Sequence, residues 1–204
     1  MARQRTLKEI VSCSGIGLHS GKNVSIKILP ADEDSGITFV RTDIPSRPAI
    51  KAISENVVDT RLATTLGNGT VTIGTVEHLL AAFYGLVIDN AVVEVDSCEI
   101  PIMDGSAAHF VNLIQKVGIE FQKKNKKFIV IKKPIKVRDG KKLALLIPAK
   151  NFKITYSINF DHPFLNNQSF STIYSDEVFK DEICSAKTFG FLKEVEWLRS
   201  QGLA

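Results

Sequence analysis

The stretch Thr75-Val76-Glu77-His78-Leu79-Leu80-Ala81-Ala82-Phe83-Tyr84-Gly85 constrains the fold most, because it carries helix signals while its neighbours read as strands. Thr75 can cap a helix N-terminus with its hydroxyl, Gly85 can end one in a left-handed conformation, and the apolar residues between them give a face to bury. Val71-Thr72-Ile73 before it and Asn90-Ala91-Val92-Val93-Glu94-Val95 after it read as strands. Glu77 and His78 then fall in the first turn. There the helix dipole favours a carboxylate and keeps an imidazole neutral, the state that binds a metal. Adjacent helical residues point about 100° apart, so the pair is poorly placed to grip one ion together. A division of labour fits better, with His78 a ligand and Glu77 a general base on a metal-bound water. Taken alone, the pair has a plainer alternative: a surface glutamate beside a core histidine satisfied by the backbone.

The opening of the chain is β-rich. Val24-Ser25-Ile26-Lys27-Ile28 alternates cleanly and Ile37-Thr38-Phe39-Val40-Arg41 more loosely, which predicts half-buried antiparallel strands. Between the early strands, Gly15 to Lys22 carries three glycines, suited to a hairpin loop or to close approach of a ligand. Asn56 to Leu66 reads as a further strand and turn. Asp104 reads as a turn residue in Glu99-Ile100-Pro101-Ile102-Met103-Asp104-Gly105-Ser106, and Ser106 as a cap for the amphipathic segment His109 to Ile114. The run Lys123-Lys124-Asn125-Lys126-Lys127 reads as a solvated linker, which sets domains at 1–122 and 128–204. A short echo supports two similar units: Gly21-Lys22, a strand and Pro30-Ala31 recur as Gly140-Lys141, a strand and Pro148-Ala149. In the second unit, Phe152 to Phe160 is strand-like and delivers Asp161-His162-Pro163, either a site or a turn. Glu177 to Ile183 and Leu192 to Gln201 read as helices, the latter capped by Gly202.

Composition excludes several classes. With 204 residues and 44% hydrophobic content the chain can bury a sizeable core, and no apolar run approaches the length of a membrane span; Met1 to Arg5 leads directly into strand-like sequence rather than reading as a signal peptide, so a cytoplasmic protein is expected. Cys13, Cys98 and Cys184 are too scattered for a disulfide framework or a structural zinc knuckle. The net charge of +4 is mild, and without aromatic residues interleaved among the lysines it does not argue for nucleic acid.

Six stretches, taken together, resemble the UDP-3-O-acyl-N-acetylglucosamine deacetylase family, zinc enzymes of the committed step in bacterial lipid A and hence lipopolysaccharide synthesis. They are Gln4-Arg5-Thr6-Leu7, Gly17 to Lys22, Thr75 to Leu79, Glu99 to Ala107, His162-Pro163 and Thr188-Phe189-Gly190-Phe191. The resemblance implies an α+β fold of two similar units, each a β-sheet layer packed with helices, with the active site between them and the second unit incomplete. It implies Zn2+ as cofactor, His78 as a ligand and Glu77 as the base that deprotonates the zinc-bound water. Thr188 resembles the hydroxyl that helps stabilise the oxyanion. Phe160 is similar to the aromatic contact for uridine, Lys142 to the basic contact for the diphosphate, and Leu62 and Phe189 to walls around the sugar and acyl chain. His19 and Asp104 match motif residues near the site. The family's other zinc ligands, a His and an Asp on a later helix, and its general-acid His have no match in these residues. A truncated, split or incompletely recorded gene is therefore expected, with a C-terminal segment or chain to be supplied. The rival function is a non-catalytic module binding a nucleotide sugar or a partner.

Overall fold

The computed structural model describes residues 2–200. They form two units, one from the described residues of Met1–Lys126 and Lys180–Ala204, the other Lys127–Phe179. The first unit runs through β1 (Arg3–Leu7), β2 (Val11–Ile16), β3 (Asn23–Pro30), β4 (Ile37–Arg41), β5 (Ala49–Lys51), β6 (Val57–Asp59), β7 (Thr65–Gly67), β8 (Thr72–Ile73), α1 (Glu77–Gly85), β9 (Ala91–Val95), α2 (Ala108–Val117) and β10 (Ile119–Asn125).

Period-two alternation builds its central sheet. β3 buries Val24, Ile26 and Ile28 while Ser25 and Lys27 face out, and β9 buries Ala91, Val93 and Val95. The order is β2-β3-β9-β4-β5. β3 is antiparallel to both neighbours, as expected, whereas β4 is antiparallel to β5 but parallel to β9, so the antiparallel strand expected at Ile37 to Arg41 is met on one side only. The long excursion through β5 to β8 and α1 allows this, since parallel neighbours need a crossover connection. Phe39, Ile50, the α1 residues Leu79, Ala82 and Phe83, and the α2 residues Phe110, Val111 and Ile114 complete the core, with α1 against α2. Burying each large apolar side chain contributes about 1.5–3 kcal/mol. The Asn56 to Leu66 strand is two strands, β6 and β7, broken at Thr60 to Thr64 and joined with β8 in a small sheet.

β1 and β10 pair antiparallel, and the lysine run is not simply a linker, because Lys123, Lys124 and Asn125 belong to β10. Lys124 pairs with Asp34 and Lys126 with Asp89, which ties the charges down. Beneath β1, Asn90 Nδ2 donates to Gln4 Oε1 (2.8 Å) and Gln122 Oε1 (2.7 Å), while Asn90 Oδ1 accepts from Gly36 N (2.9 Å). A buried amide so satisfied fixes strand positions that apolar contacts alone leave loose.

The second unit holds two hairpins, β11 (Ile135–Asp139) with β12 (Lys142–Leu146) and β13 (Lys153–Ile158) with β14 (Gln168–Ile173), then a short helix α3 (Asp176–Val178). Gly140 turns the first hairpin with φ 54°, as Gly21 turns the β2–β3 hairpin with φ 63°, so the sequence echo corresponds to two glycine-turned hairpins. The expected helix from Glu177 is α3 followed by a π-helical turn, Phe179–Ile183.

The stretch from Lys180 groups with the first unit rather than with 128–179, because Thr188 N donates to Gly105 O (2.8 Å) and Lys187 Nζ lies 3.7 Å from Asp104 Oδ2. It ends in α4 (Leu192–Ser200); Gly202, expected as its cap, lies outside the described residues. Among the described residues, no helix is long and apolar enough to cross a membrane.

Candidate functional site

Helix α1 begins at Glu77, so Glu77 and His78 do occupy its first turn, but the capping differs from the sequence reading. No side chain caps this end. Thr75 instead commits its hydroxyl to Glu99 Oε1 at 2.9 Å. At the other end Gly85 stays helical, and Val87 takes the left-handed position with φ 58°. Ile88 N donates to Phe83 O and Val87 N to Tyr84 O, a closure that keeps Leu86 and Ile88 buried, which a glycine at either of those positions would not supply. Glu77 Oε2 accepts from Thr64 N at 2.9 Å, which fastens the first turn of α1 to the break between β6 and β7.

Glu99 is the residue that the sequence reading passed over. The residue is 3% exposed, and its carboxylate accepts from His19 N (3.0 Å), Ser20 N (2.9 Å) and Thr75 Oγ1. Burial pushes its pKa up, but these donors outweigh burial and hold it below the usual glutamate value. Gly17 is required beside it, since a Cβ there would lie 2.6 Å from Glu99 Oε2 and 2.4 Å from Ser20 Oγ. The sequence signal was available: an acid opening the apolar run Ile100 to Met103 has no periodic reason to be there.

His19, Asp59, Arg61, Leu62, Thr75, Cys98 and Glu99 are among the residues that line an open cleft of about 550 Å³. Arg61 hydrogen-bonds Asp59 and draws its pKa down to about 2, so the two charges offset each other. Leu62 is 73% exposed, with a left-handed backbone. His19 Nε2 is buried without a hydrogen-bond partner among the described residues.

Asp104 is the turn residue expected of it. Its Oδ1 accepts from Ser106 N (3.1 Å) and Ser106 Oγ (2.7 Å), and the Ser106 hydroxyl bond leads in holding its pKa below the ordinary value. Ser106 Oγ in turn accepts from Ala108 N at the head of α2, one residue ahead of the cap position. Gly105, at φ 80°, passes beneath Thr188, whose Cγ2 would lie 3.5 Å from a Cβ there. Thr188 is exposed, and Phe189, 52% exposed, sets its ring edge-on to Phe191.

Two of the expected contacts belong to the second unit. Lys142 opens β12 opposite Asp139 and is 87% exposed. Phe160 follows β13, where Phe160 N donates to Leu165 O and His162 N to Phe160 O. His162 Nδ1 accepts from Phe164 N, the turn role that Asp161-His162-Pro163 allowed.

Fit to a metal is partial. Among the described residues no three His, Cys, Asp or Glu side chains gather so as to hold an ion. His78, in the first turn of α1, belongs to no such group.

The family model described as UDP-3-O-acyl N-acetylglycosamine deacetylase (LpxC) matches residues 4–204. UDP-3-O-acyl-N-acetylglucosamine deacetylases from Syntrophus aciditrophicus (strain SB) and Myxococcus xanthus (strain DK1622) are 53% and 51% identical over 201 residues, which is 98% of this chain. That of Acidithiobacillus ferrooxidans (strain ATCC 53993 / BNL-5-31) is 50% identical over 206 residues, covering 100% of the chain. The chain spans 64% of the length of the first two and 68% of the third.

Proposed function

Because the chain belongs to the UDP-3-O-acyl N-acetylglycosamine deacetylase family, we propose that it serves hydrolysis of the N-acetyl group of UDP-3-O-acyl-N-acetylglucosamine, releasing acetate in lipid A biosynthesis. The observation that carries this reading is the setting of Glu77. One oxygen is fixed by Thr64 N, while among the described residues Oε1 has no hydrogen-bond partner, so a positioned carboxylate stands open as a base.

In this reading, Glu77 takes a proton from the water that adds to the acetyl carbonyl carbon. The Thr188 hydroxyl donates to the carbonyl oxygen as charge develops there, an interaction stronger in the transition state than in the ground state. As the C–N bond breaks, Glu77 passes the proton it took from water to the leaving nitrogen, which departs as the amine, and acetate is freed. Zinc is the cofactor implied, and His78 the residue that would contact it; bound there, it would supply Lewis acidity. Leu62 and Phe189 wall the sugar and acyl chain, Phe160 meets the uridine and Lys142 the diphosphate. His19 and Asp104 support the site from their turns. The two units are taken as versions of one α+β plan, and the reaction as cytoplasmic.

The test assays the chain with zinc for acetate release, alone and spliced in place of the matching residues of the Syntrophus relative. Acetate release by the spliced protein, with loss of bound zinc in His78→Ala, supports the reading. A folded spliced protein that binds the UDP-sugar and releases no acetate makes the chain a binding module instead.

A further inference from the structure

Resting on that reading of α1 as the reactive element, we propose that Glu99 is a positioning residue for the reaction. Its buried carboxylate holds Thr75 in the left-handed turn that launches α1 and ties the His19-Ser20 turn to it, so that Glu77 and His78 take one register relative to His19.

Three observations converge on it. Thr75 is 2% exposed with φ 57°, a conformation that a β-branched residue rarely adopts unless its surroundings impose it. The surroundings here are the segment Cys98 to Ile100: Gly74 N donates to Cys98 O (2.8 Å), Ile100 N donates to Gly74 O (3.0 Å), and the Thr75 hydroxyl reaches Glu99 Oε1. The same carboxylate takes both backbone donors of the His19-Ser20 turn, and Gly17 leaves the space it needs. Charge-assisted hydrogen bonds of this kind are short and directional, which suits them to fixing a register. Both Glu99 oxygens are engaged and buried, so Glu99 is poorly disposed to act as a base or ligand and acts through Thr75 and His19. Thr75 stands two residues before Glu77, and any change in its backbone passes directly into the first turn.

The experiment uses NMR on the chain itself, with Glu99→Gln, Thr75→Val and Thr75→Ser. In Glu99→Gln, amide exchange at His19 and Ser20 should rise by on the order of tenfold as the charged acceptor is lost, and the Glu77 and His78 resonances should shift. Thr75→Val, which keeps the shape and deletes the donor, should shift Glu77 and His78 as well, whereas Thr75→Ser, which keeps the donor, should restore them. In the form that turns over, Glu99→Gln and Thr75→Val should lower kcat by about 10- to 100-fold, the scale of a small misplacement of reacting groups, with KM little changed and Thr75→Ser recovering most of the loss. Unchanged exchange and resonances in Glu99→Gln overturn the proposal, as does a Thr75→Ser that loses as much as Thr75→Val. If Glu99→Gln does not fold, the Thr75 pair decides. Resonances that move as expected, with no acetate released by any wild-type form, keep Glu99 as the residue that sets the start of α1 and remove the deacetylase reading on which its part in the reaction rests.

Discussion

Replacing Glu77 by glutamine and by alanine separates chemistry from structure. The amide that Glu77→Gln introduces retains an oxygen that can accept from Thr64 N, the 2.9 Å bond that fastens α1 to the β6–β7 break. Its loss of charge in the first turn forfeits only a helix-dipole interaction of about 0.3–1 kcal/mol. Stability should therefore change little. A glutamine cannot take the proton, so kcat should fall by the full value of base assistance, about 10²–10⁴ or roughly 2.7–5.5 kcal/mol of barrier, with KM nearly constant. Alanine loses the base and also leaves Thr64 N without its partner. Since Thr64 is half-buried, that adds a stability loss near the low end of the 1–3 kcal/mol that an orphaned donor costs, about 1 kcal/mol. Acetate release and thermal unfolding, measured on whichever form turns over, read the two effects separately. A Glu77→Gln protein with kcat within a few-fold of wild type would remove Glu77 as the base, and one that unfolds like Glu77→Ala would refute the account of its ground-state bond.

Other changes test other parts of the structure. Thr188→Val keeps the backbone bond from Thr188 N to Gly105 O, so its effect should fall on kcat, by about 10²–10³ or less, and a pure KM effect would recast Thr188 as a ground-state contact. Asn90→Ala orphans Gly36 N and one bond of Gln122 Oε1, while Gln4 Oε1 keeps Asp34 N; denaturant unfolding should show a loss of about 2–4 kcal/mol. Glu99 has its pKa lowered on folding, so its contribution is fully present above its unfolded value of 4.5 and is lost as pH falls through the folded value. The stability gap between wild type and Glu99→Gln should accordingly be widest above pH 4.5 and close below it, and a gap that widens on acidification would reverse the assigned sign.

What the sequence disclosed and what it withheld divide along the range of the interactions involved. Val24, Ile26 and Ile28 could be placed on one buried face because alternation is a local pattern, and the first turn of α1 could be located because apolar spacing begins after Glu77. The parallel pairing of β4 with β9 was illegible, since nothing in so short a strand names a neighbour that lies beyond four further strands and a helix in the chain. Lys123 to Asn125 read as solvated because charge dominates their composition, yet β1 completes their backbone bonds, and an edge strand needs no more than that. The same reason explains the errors at the candidate site. Thr75 has the chemistry of a cap, but a cap hydroxyl must accept from the backbone N–H groups at the head of a helix, and here Thr75 stands one residue before the cap position Val76, in a left-handed backbone, with its hydroxyl donating to a buried carboxylate 24 residues later. Glu99 in turn is tolerable inside the protein only because two backbone donors arrive from 79 and 80 residues upstream. Periodicity tells which face a side chain takes; which donor meets which acceptor is decided by the fold, and that is why the helix carrying Glu77 and His78 was visible in the sequence while the carboxylate that Thr75 meets was not.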